Sequence, residues 1–108
     1  MKLQKATLFG LYAVLELAAD LERHLTATEF AAKYGISPHH LAKVLRDLGR
    51  AGLIDAVRGV GGSYRFVGDL RRLTLMDVIR IFEDVEAHRI ITVGEIEIAN
   101  LVVAARRY

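Results

Sequence analysis

The 108 residues contain no cysteine. That excludes a disulfide scaffold, a thiolate zinc site and a cysteine-ligated iron–sulfur cluster. Proline occurs once and glycine nine times, so a proline-rich linker and a collagen-like chain are excluded as well. There is no long apolar run either. The best candidate, residues 8–19, is interrupted by Glu16 and followed by Asp20, Glu22 and Arg23. It is too short to span a bilayer and lacks the cleavage site of a signal peptide, so a buried helix and a cytoplasmic location are expected. An excess of one charge is also missing, since the formal net charge is +2.

What is present is one domain's worth of chain with 53% hydrophobic residues and a mean hydropathy of +0.27. Intrinsic disorder needs the opposite composition. The apolar fraction is generous for a small monomer, as expected if part of it covers a partner or a second copy. The small net charge averages two regions of opposite sign. Between Lys33 and Arg72, eight Lys/Arg face three acids (Asp47, Asp55, Asp69), a balance of +5; the remainder carries seven basic and ten acidic residues, a balance of −3. A basic middle between acidic ends suits a surface that meets a polyanion, although ordinary surface scatter also produces such blocks.

Helical spacing of Leu8, Leu11, Tyr12, Leu15, Ala18 and Ala19, with few polar interruptions, predicts a first helix over about Thr7–Arg23. Thr26-Ala27-Thr28-Glu29 has the form of a capping box, and the short helix after it should end at Gly35. Ser37-Pro38 starts a third helix, whose Leu41, Val44, Leu45 and Leu48 form one stripe. Two short helices joined by Gly-Ile-Ser are a helix-turn-helix pattern. After Gly52, residues 53–58 and 64–67 are β-rich runs around Gly59-Val60-Gly61-Gly62-Ser63, the pattern of a hairpin. Thr74 caps a further helix with Leu75, Val78, Ile79, Phe82 and Val85 inward. From His88 on the pattern is mixed: Ile90, Ile91 and Val93 suit extended chain, and Ile96, Ala99, Leu101, Val102 and Val103 suit a helix. The expected class is mainly α with a small β-hairpin wing, a winged helix-turn-helix.

The third helix carries the chemistry. His39, Lys43, Arg46 and Arg50 follow one another at spacings of four, three and four, in a row opposite the leucines. In such a module the early residues of the second helix reach base edges and later ones meet phosphates. His39, His40 and Lys43 are therefore the candidate readers and Arg46 and Arg50 the candidate clamps. The plainer reading is a solvated helix face, and only Asp47 breaks the basic run. Arg58 and Arg65 lie in the expected wing, where an arginine can follow a minor groove or simply face solvent. Thr28, at the start of the second helix, joins the DNA-binding candidates.

Other chemistry finds no support. The glycine tip lacks the Gly-Lys-Ser/Thr ending of a phosphate loop. His39 and His40 diverge on a helix, and His24 and His88 have no partner at ligand spacing, so no metal site is expected. Glu83, Asp84 and Glu86 have the spacing of a solvated helix face, and no nucleophile–base pair is recognisable. No cofactor and no enzymatic activity are expected.

Four segments in order resemble the Rrf-type winged-helix regulators (the IscR/NsrR/CymR-like family) over roughly residues 1–85. They are Lys5–Ala13, Thr26–Ser37 with the following His40–Leu45, Ala51–Tyr64 with its glycine-rich wing, and Leu73–Ile79. In the wing Ser63 stands where a third glycine is usual. The resemblance implies a homodimeric bacterial transcription regulator, a repressor, on a palindromic operator in double-stranded DNA. It implies that Ser37, His39, His40 and Lys43 occupy recognition-helix contact positions, Arg58 the wing position, and Lys2 and Lys5 places near the phosphate backbone. Residues 1–85 would be the DNA-binding domain and residues 86–108 a dimerisation element, shortened or replaced relative to the family's long helix. Sensing members hold an iron–sulfur cluster with three cysteines, for which Glu86–Glu97 offers none. The input would then come through a regulatory protein partner or a small-molecule effector. The alternative function is a winged-helix protein-interaction module that does not bind DNA.

Overall fold

The computed structural model describes residues 3–22, 24–57 and 62–83. Lys2, Arg58, Val85 and the whole of 86–108, including the expected dimerisation element, lie outside the described residues.

Local chemistry sets the helix boundaries. The first helix, α1 (Lys5–Ala19), is apolar on nearly every side and starts at Gln4, whose own side chain makes no cap. Strand β1 (Leu25–Thr26) leads into α2 (Ala27–Tyr34), where the Thr26 hydroxyl accepts the Glu29 amide at 3.0 Å. Gly35 ends α2 in the left-handed region, φ 64°, which a residue with a Cβ enters only at a cost. Ser37 accepts the His40 amide at 3.1 Å and Pro38 fills the first position of α3 (Pro38–Arg50). Strands β2 (Ile54–Ala56) and β3 (Ser63–Phe66) form the hairpin, and α4 (Leu75–Phe82) opens with a reciprocal box between Thr74 and Asp77.

The core lies where α1 packs on both α3 and α4. Val14, Leu17, Leu41, Val44, Leu48, Val78 and Ile79 are essentially inaccessible, each contributing on the order of 1.5–3 kcal/mol of burial free energy. In the sheet, Ile54 faces Phe66, Asp55 faces Arg65 and Ala56 faces Tyr64. The first pair is buried and the second exposed, so the hairpin has an inner and an outer face.

The structure departs from the sequence reading at several points. The first helix spans Lys5–Ala19, earlier at both ends than Thr7–Arg23, because Asp20 is already extended. Its buried set is Thr7, Gly10, Leu11, Ala13, Val14, Leu17 and Ala18, while Leu8 and Tyr12 are 36% and 40% exposed. In a helix apolar all round, periodicity does not choose a face; the small residues do, since they let neighbouring helices approach. The hairpin gains a third strand, in the order β1-β3-β2, by pairing Leu25 with Tyr64 and Thr26 with Ser63. In α4 Met76 is buried, whereas Leu75 and Phe82 are half-buried. Glu83 is not on a solvated face: it is 6% exposed and hydrogen-bonded to α1.

Gly10 of α1 lies against the ring of Phe82 in α4. A Cβ built there would stand 2.3 Å from Phe82 Cε2. Gly10→Ala should therefore destabilise the fold by about 1–3 kcal/mol through overpacking. Urea unfolding checks it, with a lowered midpoint, an unchanged m-value and partial recovery in Gly10→Ala/Phe82→Leu.

Candidate nucleic-acid interface

Burial of Leu41, Val44, Leu45 and Leu48 fixes the rotation of α3 about its axis. Everything opposite the stripe must face out. His39, Lys43, Arg46 and Arg50 are accordingly all exposed, and at roughly 100° per residue they form a single row along the helix. Asp47, the acid expected to break that row, is half-buried on the flank of α3.

That flank borders a groove of about 400 Å³ between α3, the start of α1 and the end of α4. Its walls include Lys5, His40, Lys43, Asp47, Ile81 and Phe82. His40 is half-buried here, its ring meeting Phe9 edge-on with centroids 5.2 Å apart. Of the three candidate readers, His39 and Lys43 thus point away from the core and His40 is turned toward α1. Lys5 is exposed on the opposite bank of the same groove. Ser37 is exposed, with its oxygen engaged in the α3 cap. Thr28 is exposed in the first turn of α2.

A second groove, about 450 Å³, separates the other flank of α3 from the sheet, between Arg46 and Gly49 on one side and Ile54, Asp55 and Tyr64 on the other. Arg65 is exposed on β3, directly across from Asp55. The hydroxyl of neighbouring Ser63 is buried and has no hydrogen-bond partner among the described residues.

Two carboxylates position these elements, and neither was among the sequence candidates. Glu16 of α1 accepts from Lys33 Nζ and from the Tyr34 hydroxyl, both at 2.6 Å, which fastens α2 to α1. Tyr12 stacks on Tyr34 beside this pair, centroids 5.1 Å apart. Lys33, counted in the basic middle, is thereby balanced locally by Glu16. Glu83 accepts from the Gln4 amide at 2.8 Å and from the Thr7 hydroxyl. The one sequence signal for it was Thr7, a polar residue within an otherwise apolar stretch.

A family model, Rrf2, described as an iron-dependent transcriptional regulator, matches residues 3–99. The chain belongs to this family of transcriptional regulators, which are not enzymes. It is 61% identical over 84 residues to the HTH-type transcriptional regulator BadM of Rhodopseudomonas palustris, covering 78% of this chain and 54% of BadM. It is 37% identical to the protein aau3 of Rhizobium meliloti, again over 78% of this chain and 54% of that protein. The chain thus spans about half the length of the curated relatives it matches. Among solved structures, the oxidized form of Staphylococcus aureus CymR superposes with a TM-score of 0.81 at 21% identity, over 94% of this chain and 96% of that one. IscR of T. potens gives 0.80 at 23% identity, over 97% and 88%. These likenesses define the fold as a winged helix.

The family's iron dependence can be tested against the donors present. These 108 residues hold no thiolate, and among the described residues no three His, Asp or Glu side chains are grouped to hold a metal ion. The residues do not fit a cysteine-ligated cluster. Among the described residues, no helix is long and apolar enough to cross a membrane.

The Ser37 cap gives a direct check on how α3 is held. Ser37→Ala should lower stability by about 1 kcal/mol, and Ser37→Asp, which restores a capping oxygen, should recover it in thermal unfolding.

Proposed function

We propose that this chain is a cytoplasmic, DNA-binding transcriptional repressor that binds a palindromic operator in double-stranded DNA as a homodimer. The row His39–Lys43–Arg46–Arg50, held outward by the buried leucines of α3, carries the reading. His39 and Lys43 read base edges, with His40 at the edge of the recognition surface. Arg46 and Arg50, together with Lys5, Thr28 and Ser37, meet the phosphate backbone. Arg65, with Arg58 and Lys2 from outside the described residues, extends the contact along the wing and the N-terminus. Residues 1–85 form the DNA-binding domain and residues 86–108 the dimerisation element. The exposure of Leu8 and Tyr12 on α1 supports the homodimer, since two large apolar side chains in adjacent turns suit contact with a second copy. With no thiolate for a cluster, the signal reaches it through a partner protein or a small effector.

Binding to duplex DNA should be strongly salt-dependent, because cationic contacts release counterions. For six to ten phosphate contacts, affinity falls by roughly 10³–10⁵ between 50 and 200 mM salt. Selecting bound duplexes from a random pool should return a palindrome, as expected for a two-fold dimer. Lys43→Ala should then weaken binding to the selected duplex by about tenfold and binding to unrelated duplexes much less. Equal losses on both would remove Lys43 from base reading. No binding at micromolar protein and low salt would overturn the proposal and favour a protein-interaction module.

A further inference from the structure

The carboxylate of Glu83 sits where a carboxylate is least expected. It follows the last turn of α4, whose C-terminal partial charge disfavours an anion, and it is almost fully buried. An apolar side chain would fill that place at a lower desolvation cost. What the carboxylate gains is the start of a different helix. Glu83 Oε2 accepts the backbone amide of Gln4 at 2.8 Å and the hydroxyl of fully buried Thr7; Oε1 faces Gln4 Nε2 at 3.4 Å. Gln4 supplies no cap of its own to α1, so Glu83 caps that helix from 79 residues away. An anion is favoured at that end by the orientation of the peptide dipoles.

The two residues held, Gln4 and Thr7, bracket Lys5. Lys5 is exposed and lines the same groove as Lys43 of α3. We infer that Glu83 is a positioning residue for DNA binding: by capping α1 it holds the Lys5 ammonium beside the recognition helix, where it reaches a phosphate. This rests on the DNA-binding reading above and adds a residue that touches no DNA. With Glu83 removed, the Gln4 amide and the Thr7 hydroxyl lose their acceptor, the first turn of α1 frays, and Lys5 no longer has a fixed origin.

The test is the salt dependence of affinity, which counts phosphate contacts and does not respond to stability so long as the protein is folded. Fluorescence anisotropy of the full chain with a labelled mixed-sequence duplex is recorded across 50–200 mM salt. Circular dichroism establishes that each variant is folded at the temperature used. Glu83→Ala should lower the slope of log affinity against log salt by about 0.9 per protomer, the value for one phosphate. Lys5→Ala should do the same, and Glu83→Ala added to Lys5→Ala should change it no further, as for two residues acting through one contact. Glu83→Gln, whose one amide oxygen can take the place of Oε2, should restore the slope of the unaltered chain. Glu83→Asp keeps the charge, withdraws the carboxylate by one methylene and reads the same slope if Glu83→Ala does not fold. A folded Glu83→Ala or Glu83→Asp protein with an unaltered slope, or losses that add to those of Lys5→Ala, would overturn the inference. If the unaltered chain shows no salt-dependent binding, it is the DNA-binding reading that fails.

Discussion

Burial of one face of α3 is the constraint on which the rest depends. Leu41, Val44, Leu45 and Leu48 are all almost inaccessible, on a helix packed against α1 and α2. A helix with four such anchors cannot rotate without exposing at least one of them, at a cost of a few kcal/mol. The orientation of the basic row is therefore a consequence of core packing. Ser37 and Pro38 add to this by fixing where α3 begins, and so where along the surface His39 and Lys43 lie. The site is built on a rigid element, and the precision of its side chains derives from that.

The role of α1 differs, because its sides are almost uniformly apolar and hydrophobicity alone leaves it free to turn. Polar ties remove that freedom. At its first turn Glu83 binds Gln4 and Thr7, and near its end Glu16 binds Lys33 and Tyr34. One tie comes from α4 and the other from α2, so the helix is pinned from both sides by groups whose separation would leave polar atoms unsatisfied. Gly10 under the Phe82 ring sets the distance to α4. Apolar packing supplies most of the stability here, while the few buried polar groups select one arrangement among several that would bury similar area.

Legibility in the sequence followed the range of the interaction. The caps at Ser37 and Thr74, the stop at Gly35 and the stripe of α3 all depend on residues within one or two turns, and the structure has them as expected; of the box expected at Thr26 it has the hydroxyl accepting the Glu29 amide. Strand β1 is only two residues long and exists by pairing with β3, nearly forty positions away; nothing local announces it. The rotation of α1 was not legible, because periodicity weighs large apolar residues, whereas the buried face includes the small residues Thr7, Gly10 and Ala13. Glu83 looked like part of an acidic surface run because its partners lie 76 and 79 residues away. The basic row itself was legible, since position on a helix is periodic, but the inward turn of His40 toward Phe9 was not.

The charge pattern gains its meaning only from this geometry. Counted along the chain, the middle of the protein carries eight basic residues against three acids. Counted in space, Lys33 belongs to Glu16 and Asp47 is withdrawn to the flank of α3, so one cation leaves the candidate surface and one anion leaves the row. Lys5, from the part of the chain with an acidic balance, enters beside Lys43 in their place. A surface suited to a polyanion is thus assembled from both regions. On the inference drawn for Glu83, a carboxylate buried behind that surface governs one of its cations, because the field at the surface depends on where a flexible lysine is rooted as much as on its charge.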